Sequence, residues 1–198
     1  MCGLSGGGLV DLVYSGLAGL VVKLGLHRVH PNVYTILGLL LALLAPPSAY
    51  MGYFALALIL IVLSSLMDVM DGLVARVSGL QSKWGAFLDS LSDRVSDASY
   101  ILTLALMGLD WRLCYVLLVL SYLVSYSRAR GEGLGVQLKG VGLIERQERV
   151  VAVLLIALIA WVDVWAATIA LAILTVLTAI TVAQRVFSVY AQLKQGVH

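Results

Sequence analysis

Six apolar stretches divide this chain, at about Val33 to Tyr50, Tyr53 to Leu66, Phe87 to Met107, Leu113 to Val124, Val150 to Trp161 and Trp165 to Ala183. Of its 198 residues, 61% are hydrophobic and 12% charged. That charged share is about half of what an ordinary soluble domain carries. The expected class is an all-α integral membrane protein with six transmembrane helices. Several stretches are shorter than the roughly 20 residues that cross a hydrocarbon core. Their helices must therefore borrow residues from polar flanks, and Pro46 and Pro47 are expected to kink or end the first.

The positive charges give the expected orientation. Twelve of the thirteen Lys and Arg residues fall before the first stretch, in alternate loops, or at the C-terminal end, and only Arg112 lies on the other side. By the positive-inside rule both termini are cytoplasmic in a multi-pass protein of the cell membrane. Residues Leu9 to Leu26 mix Asp11, Tyr14 and Lys23 with apolar residues and glycines. An interfacial helix on the cytoplasmic face, within residues 1–30, fits them better than a seventh span. The rest reads as one membrane domain over 1–198, and the N-terminus has no basic, cleavable leader pattern. Cys2 and Cys114 have no CxxC partner, so neither a disulfide nor a thiolate metal site is expected. The net charge of +2 by itself says little, and no nucleic-acid partner is expected.

Against this background stand Asp68, Asp71, Asp89 and Asp93. A carboxylate at the centre of a transmembrane helix costs roughly 2.5 to 3.5 kcal/mol on insertion scales. The pairs are spaced by three and by four residues, so each projects from one face of its helix. The two helices are consecutive and antiparallel, which lets all four carboxylates converge at one depth. Unscreened, the four charges would repel one another. Hard oxygen ligands without a nearby histidine favour magnesium, manganese or calcium over zinc, and two divalent ions would balance the charge. Gly72 and Gly85 remove side chains beside each pair, and Arg76 offers a fork of donors suited to phosphate oxygens. The plain alternative is a solvated loop in which these acids pair with Arg76, Lys83 and Arg94. It accounts for neither the spacing nor both glycines.

The run Asp68-Val-Met-Asp71-Gly72-Leu-Val-Ala75-Arg76, followed after eight residues by Gly85-Ala-Phe-Leu-Asp89-Ser-Leu-Ser-Asp93, resembles the CDP-alcohol phosphotransferase signature DxxDGxxARx8GxxxDxxxD at every fixed position. The resemblance implies an enzyme with six transmembrane helices and a cytoplasm-facing site. Such an enzyme moves a phosphoalcohol group from a CDP-linked lipid to a second alcohol, releases CMP, and forms a homodimer. It implies Asp68, Asp71 and Asp89 as ligands of two divalent cations, Mg2+ or Mn2+. Asp93 would complete the second metal site and serve as the catalytic general base. Gly72, Ala75, Arg76 and Gly85 would frame the CDP group. Pro31, Asn32 and Thr35 resemble the family's PNxxT stretch at the nucleotide, although a proline and asparagine at a helix start need no such role. Asp97 continues the stripe by one turn outside the signature and has no role assigned by it.

The acceptor is read from other residues. Ser125-Tyr-Ser-Arg128-Ala-Arg130-Gly-Glu132 ends the fourth stretch, and Gly142-Leu-Ile-Glu145-Arg146-Gln-Glu148-Arg149 opens the fifth. Paired arginines at cytoplasmic helix ends suit a doubly charged phosphomonoester. This region is similar to "SxxKARAEGLG…GxxERxER" of the phosphatidylinositol phosphate synthases and their archaeal counterparts, which use inositol 1-phosphate. The similarity implies Ser125, Arg128 and Arg130 at the acceptor phosphate, with Arg149 and Arg185 in the same cluster. Arg128 stands where lysine is usual and Gly131 where alanine is usual. Glycerol 3-phosphate is the alternative acceptor. A small cation transporter is the alternative of another class, since carboxylates also line such pathways. It would need a polar track through the outer halves of the spans, and the sequence shows none.

Overall fold

The computed structural model describes Gly19 and residues 21–195. Six α-helices make up almost all of it: α1 (Pro31–Tyr50), α2 (Phe54–Ser78), α3 (Lys83–Leu106), α4 (Trp111–Glu132), α5 (Arg146–Val162) and α6 (Val164–Gln195). Among the described residues there is no strand. Three helices are long and apolar enough to cross a membrane, over Pro31–Tyr50, Phe54–Ser78 and Val164–Lys194. Of the others, α5 has 17 residues, and α3 and α4 carry charged residues of the site within their length.

Helix starts follow local chemistry. At α1 the His30 Nδ1 accepts from Asn32 N at 3.2 Å, while Pro31 occupies a position whose N–H would have no helical partner. Ser82 Oγ accepts from Gly85 N at 2.9 Å and caps α3. Asp110 Oδ1 takes the amides of Arg112 and Leu113 at the start of α4. At α5 the Glu145 amide donates to Glu148 Oε2 at 3.0 Å, half of a capping box. Gly79, with φ 68°, ends α2 in the left-handed conformation that glycine adopts without cost.

Of the expectations for the helices, one holds and one changes in part. The helices do extend beyond the apolar stretches, and α2 runs on through Asp68, Asp71 and Arg76 to Ser78. The first helix, however, does not end at Pro46-Pro47 but continues to Tyr50. The prolines remove two amide donors, which would otherwise serve Ala42 O and Leu43 O, and Ser48 Oγ donates to Leu44 O in the same stretch at 2.8 Å. Most of the segment expected to form an interfacial helix lies outside the described residues. Its described end is a helical turn over 21–23 and a single 3-10 turn, Leu26–Arg28. Val21 is buried with Tyr34, Leu73 and Val74, and Tyr34 Oη donates to Leu26 O at 2.9 Å.

In the packing, α1 lies against both α2 and α3, while α2 and α3 touch each other little. On the other side α6 lies against α4 and α5, and contacts of α3 with α4 and of α5 with α2 and α3 join the halves. The α1–α2 crossing is close. A Cβ at Gly38 would stand 3.1 Å from Met67 Cβ and 3.2 Å from Ser64 O, and Ser64 Oγ donates to Gly38 O at 2.6 Å. Small residues at such crossings let apolar helices approach and exchange hydrogen bonds where water is absent. Ala42, Ile61, Leu104, Leu117, Ile156 and Leu171 belong to the buried apolar core.

Candidate functional site

The wedge opened by α1 between α2 and α3 sets the carboxylates. Oxygen atoms of Asp68, Asp71 and Asp89 lie within 4.8 Å of one another, and Asp71 is buried. Thr35 of α1 donates its hydroxyl to Asp71 Oδ2 at 2.7 Å. Three carboxylates this close repel strongly unless cations lie between them. Their all-oxygen donor set suits a hard divalent cation. Asp93, one turn further along α3, faces a different partner. Its Oδ1 is 2.9 Å from Arg146 Nη2 and its Oδ2 is 3.4 Å from Arg94 Nη1.

The sequence reading counted Arg146 among the paired arginines but gave it no role of its own in the site. Arg146 stands at the first position of α5, where a cation opposes the helix dipole. Carboxylates from other helices compensate it. Nη1 donates to Asp68 Oδ2 at 2.9 Å, Nη2 meets Asp93, and Nε is 3.4 Å from Asp97 Oδ1. Asp97 also accepts from Arg149 Nη2 at 2.6 Å, and both of these residues are buried. Asp68, Asp93 and Asp97 are therefore tied across the fold to α5, beyond the local pairing with Arg76, Lys83 and Arg94 that the plain alternative offered. The only local signal for this was the ERxER run itself.

Two cavities meet at the carboxylates. The first, about 270 Å3, is lined by Pro31, Asn32, Thr35, Gly72, Ala75 and Gly85, together with Asp71, Asp89 and the α2–α3 loop. Six of the seven residues expected at the CDP group thus share one hollow. Arg76, the seventh, is exposed on α2, with Nη2 3.8 Å from the position of a Cβ added at Gly72. A Cβ at Gly85 would come within 3.2 Å of Asn32 Oδ1 and 3.1 Å of Ser82 Oγ, so glycine here spares both side chains a shift where α3 approaches α1. Leu80, Gln81 and Ser82 of the short loop also line the hollow. They fall in the unspecified gap of the signature.

The second cavity, about 510 Å3, shares Asp71, Gly72 and Asp89 with the first and reaches Ser125, Arg128, Arg146, Arg149 and Arg185. Arg130 is exposed and is not among the residues that line it. Two positions past Arg128, it falls on another face of α4. Arg128 is partly engaged by Glu132 at 2.9 Å. Arg185 is buried, with Nη1 donating to Val124 O at 2.7 Å and Nε to Val141 O at 2.9 Å. It thereby fixes the α4–α5 connection to α6. Thr181 Oγ1, which accepts from Ile144 N at 3.1 Å, and Gln192, paired with the backbone of Gln137, act on the same connection. Gly142 has φ 130°, and a Cβ there would run into the Thr181 methyl group. The connection that leads to Glu145, a lining residue of this cavity, is therefore tied to α6.

Residues 28–181 match the sequence profile described as CDP-alcohol phosphatidyltransferase. An archaetidylinositol phosphate synthase from Pyrococcus horikoshii is 38% identical over 84% of this chain and 86% of its own length. Another, from Aeropyrum pernix, is 39% identical over 83% of this chain and 85% of its own. The fold is similar to the crystal structure of Mycobacterium tuberculosis phosphatidylinositol phosphate synthase with CDP-DAG bound, at TM-score 0.73 and 29% identity over 90% of this chain and 94% of that one. The same mycobacterial enzyme in complex with manganese and citrate gives TM-score 0.73 at 29% identity, over 89% of this chain and 88% of that one.

Proposed function

The chain belongs to the CDP-alcohol phosphatidyltransferase family, a family of enzymes that transfer substituted phosphate groups, and within it we propose that the acceptor is inositol 1-phosphate. A phosphatidyl or archaetidyl group would move from a CDP-linked lipid to that acceptor with release of CMP. The observation that carries this reading is the position of the carboxylate cluster between two cavities. One is framed by glycines and the α1 start, the other by guanidinium groups. A nucleotide diphosphate needs close backbone approach, and a phosphomonoester needs cationic donors. The names of the relatives, synthases of inositol phosphate lipids, agree with it.

Asp68, Asp71 and Asp89, with Asp93, would hold two divalent cations, Mg2+ or Mn2+. When bound, these neutralise the diphosphate and the charge that develops on CMP. Thr35 restrains Asp71 through its hydrogen bond. Gly72 and Gly85, with Pro31, Asn32, Ala75 and Arg76, admit and frame the CDP group. Asp93 takes the proton of the attacking hydroxyl. The acceptor oxygen forms a bond to the phosphorus bearing the lipid, the bond to the CMP oxygen breaks, and the proton passes to Asp93. Ser125, Arg128 and Arg146 would bind the acceptor phosphate. Arg149 and Arg185 would act mainly by holding the walls, as their buried hydrogen bonds suggest. Arg130 keeps at most an outer role as a charge near the mouth.

In the same reading all six helices cross the membrane, residues 1–198 form one domain with an interfacial segment in 1–30, both termini and the site face the cytoplasm, and two copies pair as a homodimer. The test is turnover by the purified protein given a CDP-linked lipid and, in parallel, inositol 1-phosphate, glycerol 3-phosphate, inositol or serine. CMP release should be fastest with inositol 1-phosphate. Preference for glycerol 3-phosphate would leave the family intact and remove this acceptor.

A further inference from the structure

Resting on the acceptor reading above, we propose that Asp97 is a positioning residue for the acceptor pocket: it sets the guanidinium of Arg146 between Asp68 and Asp93, and is itself held by Arg149. Asp97 lies one turn beyond Asp93 on α3 and is 5% exposed. Its two oxygens are divided. Oδ2 accepts from Arg149 Nη2 at 2.6 Å, and Oδ1 lies 3.4 Å from Arg146 Nε. With Nε held on that side, the forked end of Arg146 reaches one carboxylate of each acidic helix, Asp68 and Asp93, both at 2.9 Å.

A buried ion pair is a poor source of stability, because removing two charges from water costs about as much as their attraction returns. An apolar pair at this place would pack as well. The Arg149–Asp97 pair is better explained by direction. It leaves Asp97 Oδ1 free to face Arg146 Nε as an ion pair at 3.4 Å and so sets the side on which that guanidinium lies. Arg146 has a long, rotatable side chain at the first position of α5, opposed by the helix dipole there. Without Asp97 its fork could follow Glu145 or solvent. With Asp97 in place the fork faces the cavity that also contains Asp93, where an acceptor must bring its phosphate and hydroxyl together. Asp97 lines only a separate recess of about 10 Å3 with Tyr100, Ile101, Arg149, Val150 and Val153, so its effect on the acceptor passes through Arg146.

The test uses the full-length protein in detergent or liposomes. Asp97→Asn removes the charge that grips Nε. The double variant Asp97→Asn/Arg149→Gln also removes the buried guanidinium that the first would leave without its counter-charge, and covers the case in which the single variant fails to accumulate. In either, the KM for the phosphorylated acceptor should rise about ten- to a hundredfold, the worth of one hydrogen bond to a charged group. The KM for the CDP-lipid and the calorimetric affinity for Mn2+ should change little, and Asp97→Glu should recover part of the loss. Combined with Arg146→Gln, Asp97→Asn should add almost nothing. A parallel rise in both KM values, or effects that multiply with those of Arg146→Gln, would make Asp97 a purely structural residue and overturn the proposal. If the wild type used only an uncharged alcohol, the acceptor reading would fail first and this proposal with it. If it used a phosphorylated acceptor and the split were missing, this proposal alone would fall.

Discussion

The hydroxyl of Thr35 on α1 donates to Asp71 Oδ2 on α2 at 2.7 Å, inside a buried crossing. This bond aims a carboxylate that has few other ways to be held, because α2 and α3 barely touch. Thr35→Val keeps the shape and deletes the donor. A hydrogen bond to a charged group is worth about 1.5 to 3 kcal/mol. Mn2+ affinity measured by calorimetry should therefore weaken by roughly ten- to a hundredfold. Unchanged Mn2+ binding would remove Thr35 from the support of the site.

Asp89 contributes one of three clustered carboxylates. Asp89→Asn should abolish CMP release, while size-exclusion behaviour stays that of the wild type. Chelation of divalent ions should silence the wild type as well, with recovery on adding Mg2+ or Mn2+. Near-normal turnover by well-folded Asp89→Asn would sink the assignment.

Arg128 and Arg130 look equivalent in the sequence, and the cavity separates them: Arg128 lines it and Arg130 does not. Arg128→Ala should raise the acceptor KM by roughly tenfold or more, the lower end for a lost bond to a charged group. Arg130→Ala should have a much smaller effect. Equal losses in the two variants would show that the cavity wall differs from the one described.

Most of the local framework was legible because it depends on spacing. Three- and four-residue intervals place acids on one helix face, and six of the seven residues expected at the nucleotide do line one cavity. Partners across the fold were not legible. Helical periodicity says which face a residue occupies, but not that α1 would wedge between α2 and α3. Nor does it say that Arg146 would reach Asp68, 78 positions earlier in the chain. Arg185 was read as a phosphate donor from the similarity and its place near the end of the last helix, yet backbone carbonyls take two of its nitrogens. The prolines at 46 and 47, which the sequence allowed either to kink or to end the first helix, do not end it. Neighbours packed along a helix can hold it through missing amide donors where an isolated one would break.

The one-sided distribution of basic residues predicts that the α4–α5 connection and the α5–α6 turn face opposite sides of the membrane. Single cysteines placed at Lys139 and Asp163 should be labelled from opposite faces of sealed vesicles, with Lys139 on the cytoplasmic face. Access to both from one side would rule out six spans.

The two hollows share a wall of Asp71, Gly72 and Asp89 and otherwise have separate linings. With the proposed substrates in them, neither need leave before the other enters. Turnover should then follow a random sequential scheme through a ternary complex, with double-reciprocal plots at several fixed acceptor concentrations crossing to the left of the ordinate. Parallel lines, the mark of a substituted-enzyme cycle, would mean that the shared carboxylate wall carries the lipid group between two half-reactions.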